Sequence, residues 1–160
     1  MWYMHRIRVS TDVSRPREAV YDFLDVLANH ERFTDHVMRD WQVEGPDWGV
    51  GAKAKLNAVL GGRSDPVDIE VIAAEAAIKN VERNTGAGGK RIATGTYTLD
   101  ELSGGGIRVN FAYSWQQAPF SERLAAPIVR RLMRTALERA MRRLAEQLNA
   151  ANQLVDSPEE

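Results

Sequence analysis

Three histidines, at positions 5, 30 and 36, are the first residues to weigh for chemistry. An imidazole can hold a metal or move a proton near neutral pH. His30 and His36 stand six residues apart, and the chain has no cysteine. Two histidines on one helix face ligate a metal when they are four apart, and a structural zinc site draws on thiolates. Surface or capping roles are therefore expected for the histidines, with no metal and no cofactor. Asp35, His36 and Ser64 supply the residue types of a hydrolytic triad. Ser64, however, lacks the strand–elbow–helix setting that exposes a nucleophilic serine. Gly86-Ala87-Gly88-Gly89-Lys90 is rich in glycine like a phosphate loop. It lacks the Gly-x-x-x-x-Gly-Lys-Ser/Thr spacing, and a strand pattern follows it rather than a helix. It reads as a hairpin turn, as does Gly104-Gly105-Gly106.

Arg83 is a sharper candidate. It shares a strand face with Val81. Turned inward, its guanidinium could hold a carboxylate or an enolate. One residue out of register, it is a solvated surface arginine. Both readings stand. Tyr97, Tyr113 and Asn57 could supply polar tips beside it, although tyrosine is also an ordinary strand residue. No positioned acid–base pair is visible, so catalytic residues stay unassigned. The last helical stretch carries Arg123, Arg130, Arg131, Arg134, Arg139, Arg142 and Arg143 against Glu122, Glu138 and Glu146. A solvated helix face is expected there, with contact to an anionic partner as the other reading.

These residues need elements to position them. Ser121 to Asn149 reads as one long helix, with Ala125, Val129, Leu132, Met133, Ala136, Leu137, Ala140, Met141, Leu144 and Leu148 on one face at three- and four-residue steps. Leu124 and Ile128 fall off that stripe. They could line a pocket mouth, form a homodimer contact, or mark a helix that begins at Pro127. Before it come strands: Ile7–Val13, then residues 37–43, 52–60, 67–73, 93–99 and 107–115 with period-two alternation, and a weaker strand over 78–85. Two short helices, over residues 16–27 and 30–34, follow the first strand. Gly61 to Pro66 reads as a loop. Strands joined by short turns and closed by one helix predict an α+β fold with an antiparallel meander of about seven strands.

At 160 residues, 44% apolar and 27% charged, the chain suits one domain, expected over residues 1–150, with a loose acidic tail over 151–160. A net charge of −1 argues against a general nucleic-acid binder. No apolar run is long enough for a spanning helix, so no integral membrane association is expected. Met1 to Arg6 lacks the apolar core of a leader, and cytoplasm is the expected compartment.

The inner face of the strand over 52–60 is mostly alanine, and the long helix offers Ala136 and Ala140 opposite it. Small residues on facing layers under a curved sheet predict a cavity of a few hundred Å³, the usual size of a small-molecule site. Its expected walls are Ala54, Leu56, Asn57, Ile69, Arg83, Tyr97, Phe111, Tyr113, Trp115, Leu132, Ala136 and Ala140.

Several features together resemble a known family. They are the opening strand running into Pro16-Arg17-Glu18-Ala19-Val20-Tyr21-Asp22-Phe23-Leu24, then Asn29-His30-Glu31-Arg32-Phe33, the strand around Trp41 and the turn Gly49-Val50-Gly51. Gly95 within its strand, the Gly104–Gly106 hairpin and the closing helix complete the set. The chain resembles the START/polyketide-cyclase (SRPBCC) superfamily, whose helix-grip fold is shared with birch-pollen allergens. The resemblance implies a curved sheet wrapped around the long C-terminal helix. It also implies a small hydrophobic or amphipathic ligand such as a lipid, quinone or polyketide held between them. Some members cyclise or dehydrate polyketides, using pocket arginines with aromatic or hydroxyl groups. Others act as interaction modules. Fold analogy does not choose among these.

Overall fold

The computed structural model describes residues 4–155, with side chains described through residue 150. β1 (Ile7–Val13) buries Ile7, Val9 and Val13 on one face and exposes Arg8, Ser10 and Asp12 on the other. Pro16 then starts α1 (Arg17–Asp25), which buries Val20, Tyr21 and Leu24. A 3₁₀ turn (Leu27–Asn29) and α2 (Glu31–Thr34) follow. Six strands come next: β2 (Met38–Glu44), β3 (Lys53–Leu60), β4 (Arg63–Glu75), β5 (Lys79–Gly86), β6 (Arg91–Glu101) and β7 (Ile107–Gln117). The chain closes with α3 (Phe120–Leu124) and α4 (Ala126–Val155).

The seven strands form one antiparallel sheet in the order β1-β7-β6-β5-β4-β3-β2. Register shifts interrupt β2 at Arg39/Gln42, β4 at Val71/Ala73 and β6 at Ile92/Ala93. Such bulges bend a strand and raise its twist, which curves the sheet toward its helix. This is the expected α+β helix-grip fold.

α4 lies along β1. Arg130 donates to the His5 carbonyl at 3.1 Å, Arg134 to that of Arg8 at 3.4 Å, and Asn149 Oδ1 accepts from the Ser14 amide at 3.1 Å. The helix therefore covers a sheet edge that would otherwise offer unpaired backbone groups. Leu137, Ala140, Met141, Leu144 and Leu148 pack against β1, β6, β7 and α1. α2 is held to the middle of α4 by His36 Nε2 on the Ala136 carbonyl, 3.0 Å, and by an Asp35–Arg143 ion pair.

Three sequence expectations need correction. The loop expected from Gly61 to Pro66 is a two-residue turn, Gly61-Gly62, with φ of +59° and +77°. Paired positive φ values are those of a tight hairpin turn, and glycine adopts them without strain. β4 already begins at Arg63 and includes Pro66, whose partner is Asn57 on β3; pairing with β5 starts only at Asp68. Its missing N–H thus falls where no neighbour asks for it. The single long helix is two, broken at Ala125, where φ is −93° and ψ is 16°. The tail expected from residue 151 starts inside α4, which runs on to Val155; residues 156–160 lie outside the described residues.

Candidate functional site: a buried polar row on β5

β5 reads Lys79-Asn80-Val81-Glu82-Arg83-Asn84-Thr85-Gly86. Its period-two alternation puts Asn80, Glu82 and Asn84 on the inner face, where they are 2%, 4% and 5% exposed. Their partners on β6 are Tyr97, Gly95 and Ala93, all buried. Arg83 is exposed on the outer face with Val81. The inward reading of Arg83 is therefore corrected. Hydrophobic pattern could not choose the face, because β5 has almost no apolar residues to bury. The hydrogen-bonded register with β6 chose it.

Gly95 makes room for the row. A Cβ there would stand 3.2 Å from Glu82 Cγ and 2.9 Å from Phe111 Cζ. His30, at the start of α2, reaches the row from the other side and is 1% exposed. Its Nε2 lies 2.7 Å from the Leu24 carbonyl. A carbonyl only accepts, so Nε2 carries the hydrogen and Nδ1 keeps a lone pair. That Nδ1 is 3.9 Å from Glu82 Oε2. The Tyr97 ring meets the His30 ring edge-on at 5.5 Å and the Phe111 ring at 4.6 Å.

Burial sets the charges. It pushes the Glu82 carboxyl up to about 8 and the His30 imidazole down to about 4. The Tyr97 phenol is raised by burial first and by the charge of Glu82 second. At neutral pH the pair is thus a protonated carboxyl facing the lone pair of a neutral imidazole. Asn80 donates to Asp25 at 3.1 Å. Asn80 Oδ1, Glu82 Oε2 and Asn84 Nδ2 have no hydrogen-bond partner among the described residues. Unmade bonds on buried polar atoms cost about 1–3 kcal/mol each, so three in one row demand a reason. Chemically, the row can donate a proton or hydrogen bond from Glu82 and Asn84, and accept one at Asn80.

The row separates two apolar clusters. Leu27, Ala52, Ala54, Leu56, Val67, Ile69 and Val71 form one. Tyr97, Phe111, Tyr113 and Ala140 belong to the other, with Trp115 packed on it. Of the expected pocket walls, Ala54, Leu56, Ile69, Tyr97, Phe111, Tyr113, Ala136 and Ala140 face inward and are closed on their neighbours, none above 9% exposed. Leu132 is 39% exposed on α4. Asn57 is on the outer face, where it donates to Asp40 at 3.1 Å, because Leu56 and Ala58 take the inner positions. Two concavities, about 860 Å³ and about 420 Å³, lie on the outer sheet face and not under the helix. The larger is lined by polar residues such as Thr94, Thr96 and Ser114, the smaller by Lys53, Asp68 and Arg83.

At the other end of α4, Arg91 of β6 ties α3 to the sheet. Its guanidinium sits 2.7 Å from Asp65 of β4 and takes both oxygens of Glu122 of α3. These bonds hold Arg91 well above its ordinary value, with Glu122 the largest cause.

The family profile of polyketide cyclase / dehydrase and lipid transport proteins matches residues 4–149. The chain belongs to that family. No curated protein sequence matches it significantly. A crystal structure from Thermus thermophilus superposes with a TM-score of 0.71 at 20% identity, over 92% of this chain and 99% of that one. A protein of the dynemicin biosynthetic locus, DynU16, superposes with a TM-score of 0.63 at 18% identity, over 91% of this chain but only 48% of its own. Ginseng major latex-like protein 151, from Panax ginseng, gives 0.67 at 10% identity, over 90% and 97%. At these identities the family's shared property is the fold.

Sequence reasoning missed Asn80, Glu82 and Asn84, and the burial of His30 beside them. A signal was present: two asparagines flanking a glutamate at two-residue steps, in a strand whose neighbour carries a glycine. His30, expected at the surface or as a cap, does cap the Leu24 carbonyl in the last turn of α1, but from a buried position because α2 folds back under α4.

Proposed function

We propose that the chain binds a small amphipathic molecule between sheet and C-terminal helix, with its polar end against Asn80, Glu82 and Asn84. The observation that carries this is the three unpartnered polar atoms on one buried face, flanked by apolar surface on both sides. A ligand oxygen could accept from Glu82 and Asn84 while a ligand hydroxyl donates to Asn80. That pattern fits a hydroxylated carbonyl compound, such as a phenolic or quinone-like polyketide or a lipid with a ketone or ester. Burying the ligand's apolar body at about 25 cal/mol per Å² would supply most of the affinity. Because the inner walls touch, the ligand must part α3 and the first turns of α4 from the sheet.

Native mass spectrometry of purified protein, then titration with a hydroxyquinone and with an alkane of similar size, tests this. The expected result is that Glu82→Leu binds the alkane as well as the parent does but loses the hydroxyquinone. Equal hydroxyquinone binding by both proteins would remove the row from the site.

A polyketide cyclase or dehydratase activity is the second reading, and the Glu82–His30 pair favours it. A neutral carboxyl can protonate a leaving hydroxyl, which departs as water, while the imidazole lone pair takes a proton from the adjacent carbon as the double bond forms; the imidazolium then returns that proton to the carboxylate. Turnover of a poly-β-ketone thioester should then fall at least 100-fold in Glu82→Gln, with binding retained. Turnover that survives this change would leave binding as the function.

A further inference from the structure

The apolar residues that α3 and α4 leave uncovered are large and regularly spaced. Phe120 and Leu124 on α3 are 67% and 69% exposed; Ile128 and Leu132 on α4 are 65% and 39% exposed. Each stands four residues after the last, so each pair shares one side of its helix. Arg123 and Arg131 flank them and are exposed, and Arg123 lies 5.8 Å over the Phe120 ring. Arg130 and Arg134 follow, with their guanidinium groups on backbone carbonyls of β1. None of these four arginines has an acidic partner within salt-bridge distance among the described residues. The one acid between residues 118 and 134, Glu122, is already held by Arg91.

The geometry points to a docking face for an anionic lipid surface, made by α3 and the first turns of α4. Aromatic and aliphatic side chains with flanking arginines form the pattern of a helix lying in a bilayer interface, apolar residues below the headgroups and cations among the phosphates. A second copy of the chain fits this face less well. A twofold contact sets the same patch against itself and would bring Arg123 and Arg131 of both copies together without counter-charge. None of these residues belongs to the Glu82 row, although α3 and the first turns of α4 are also the elements that the proposed ligand must part from the sheet; flotation of the ligand-free protein reads the face by itself.

Flotation with vesicles of phosphatidylcholine alone, and of phosphatidylcholine mixed with phosphatidylglycerol, tests the proposal. The intact protein should float with the mixed vesicles at low salt, not with the neutral ones, and should be released as salt is raised. Arg123→Gln with Arg131→Gln should weaken partition about 25-fold, some fivefold for each arginine. Leu124→Ser with Ile128→Ser should abolish it, with an unchanged melting curve because both positions are exposed. Lys53→Gln with Lys55→Gln, an equal loss of charge on the outer face of β3, should leave flotation intact. Absence of binding to mixed vesicles overturns the proposal, as does equal loss in the lysine control. Light scattering that shows a dimer in the parent and a monomer in the leucine–isoleucine variant would assign the face to a second copy and also overturn it.

Discussion

Glu82 ties the interior to pH. Its carboxyl is pushed from 4.5 to about 8 in the fold, so between those values the folded chain holds a proton that the unfolded chain has lost. Stability contributed in this way falls as pH rises. His30, lowered from 6.5 to about 4, acts oppositely: its folded form refuses a proton that the unfolded form takes, and stability falls as pH drops below 6.5. The two slopes cancel from 4.5 to 6.5, and only the Glu82 slope remains above. Urea denaturation should therefore show a plateau followed by a loss of about 2 kcal/mol between pH 6.5 and 8. Glu82→Gln should remove the alkaline fall and expose a rise toward pH 6.5 from the acid side. A parent protein with flat stability above neutrality would mean that Glu82 is ionised in the fold. Gly95 offers a second residue-level check. Its added methyl must displace Phe111 or Glu82, so Gly95→Ala should cost about 1–3 kcal/mol, read as a lower urea midpoint at unchanged slope.

Among the elements, α4 does two jobs along its length. Its C-terminal half is core: Leu144 is fully buried, and Leu144→Ala should cost about 2–5 kcal/mol. Its N-terminal half is only partly covered, so Leu132→Ala should cost less than about 1 kcal/mol, the scale of a surface change. Equal costs at the two positions, measured by chemical denaturation, would contradict this division. α3 is too short to hold itself together and depends on tethers such as the Arg91–Glu122 pair. Arg91→Ala should raise amide exchange in residues 120–125 at least tenfold and leave β6 and β7 protected. β5 shows the opposite behaviour, since its place is set entirely by its two neighbours. That is why Asn80, Glu82 and Asn84 can sit inside at all.

For the whole molecule, two apolar clusters lie on either side of the polar row of β5 within one continuous sheet. The outer sheet face is polar and the α3–α4 face apolar and cationic, so the molecule presents different chemistry on different sides.

The α+β class, the strand count, the closing helix and its buried stripe were legible in the sequence, because each follows from spacing along one element: period two for strands, 3.6 for helices. Most of the residues buried on the inner face were legible for the same reason. The facing of β5 was decided only in the tertiary structure. A strand of asparagine, glutamate, arginine and threonine carries little hydrophobic signal, and hydrogen-bonded pairing with β4 and β6 imposes its register. His30 likewise became an interior residue only when α2 packed between the sheet and α4. Which polar groups meet inside this protein depends on contacts between residues far apart in sequence, and spacing within a single element holds no record of them.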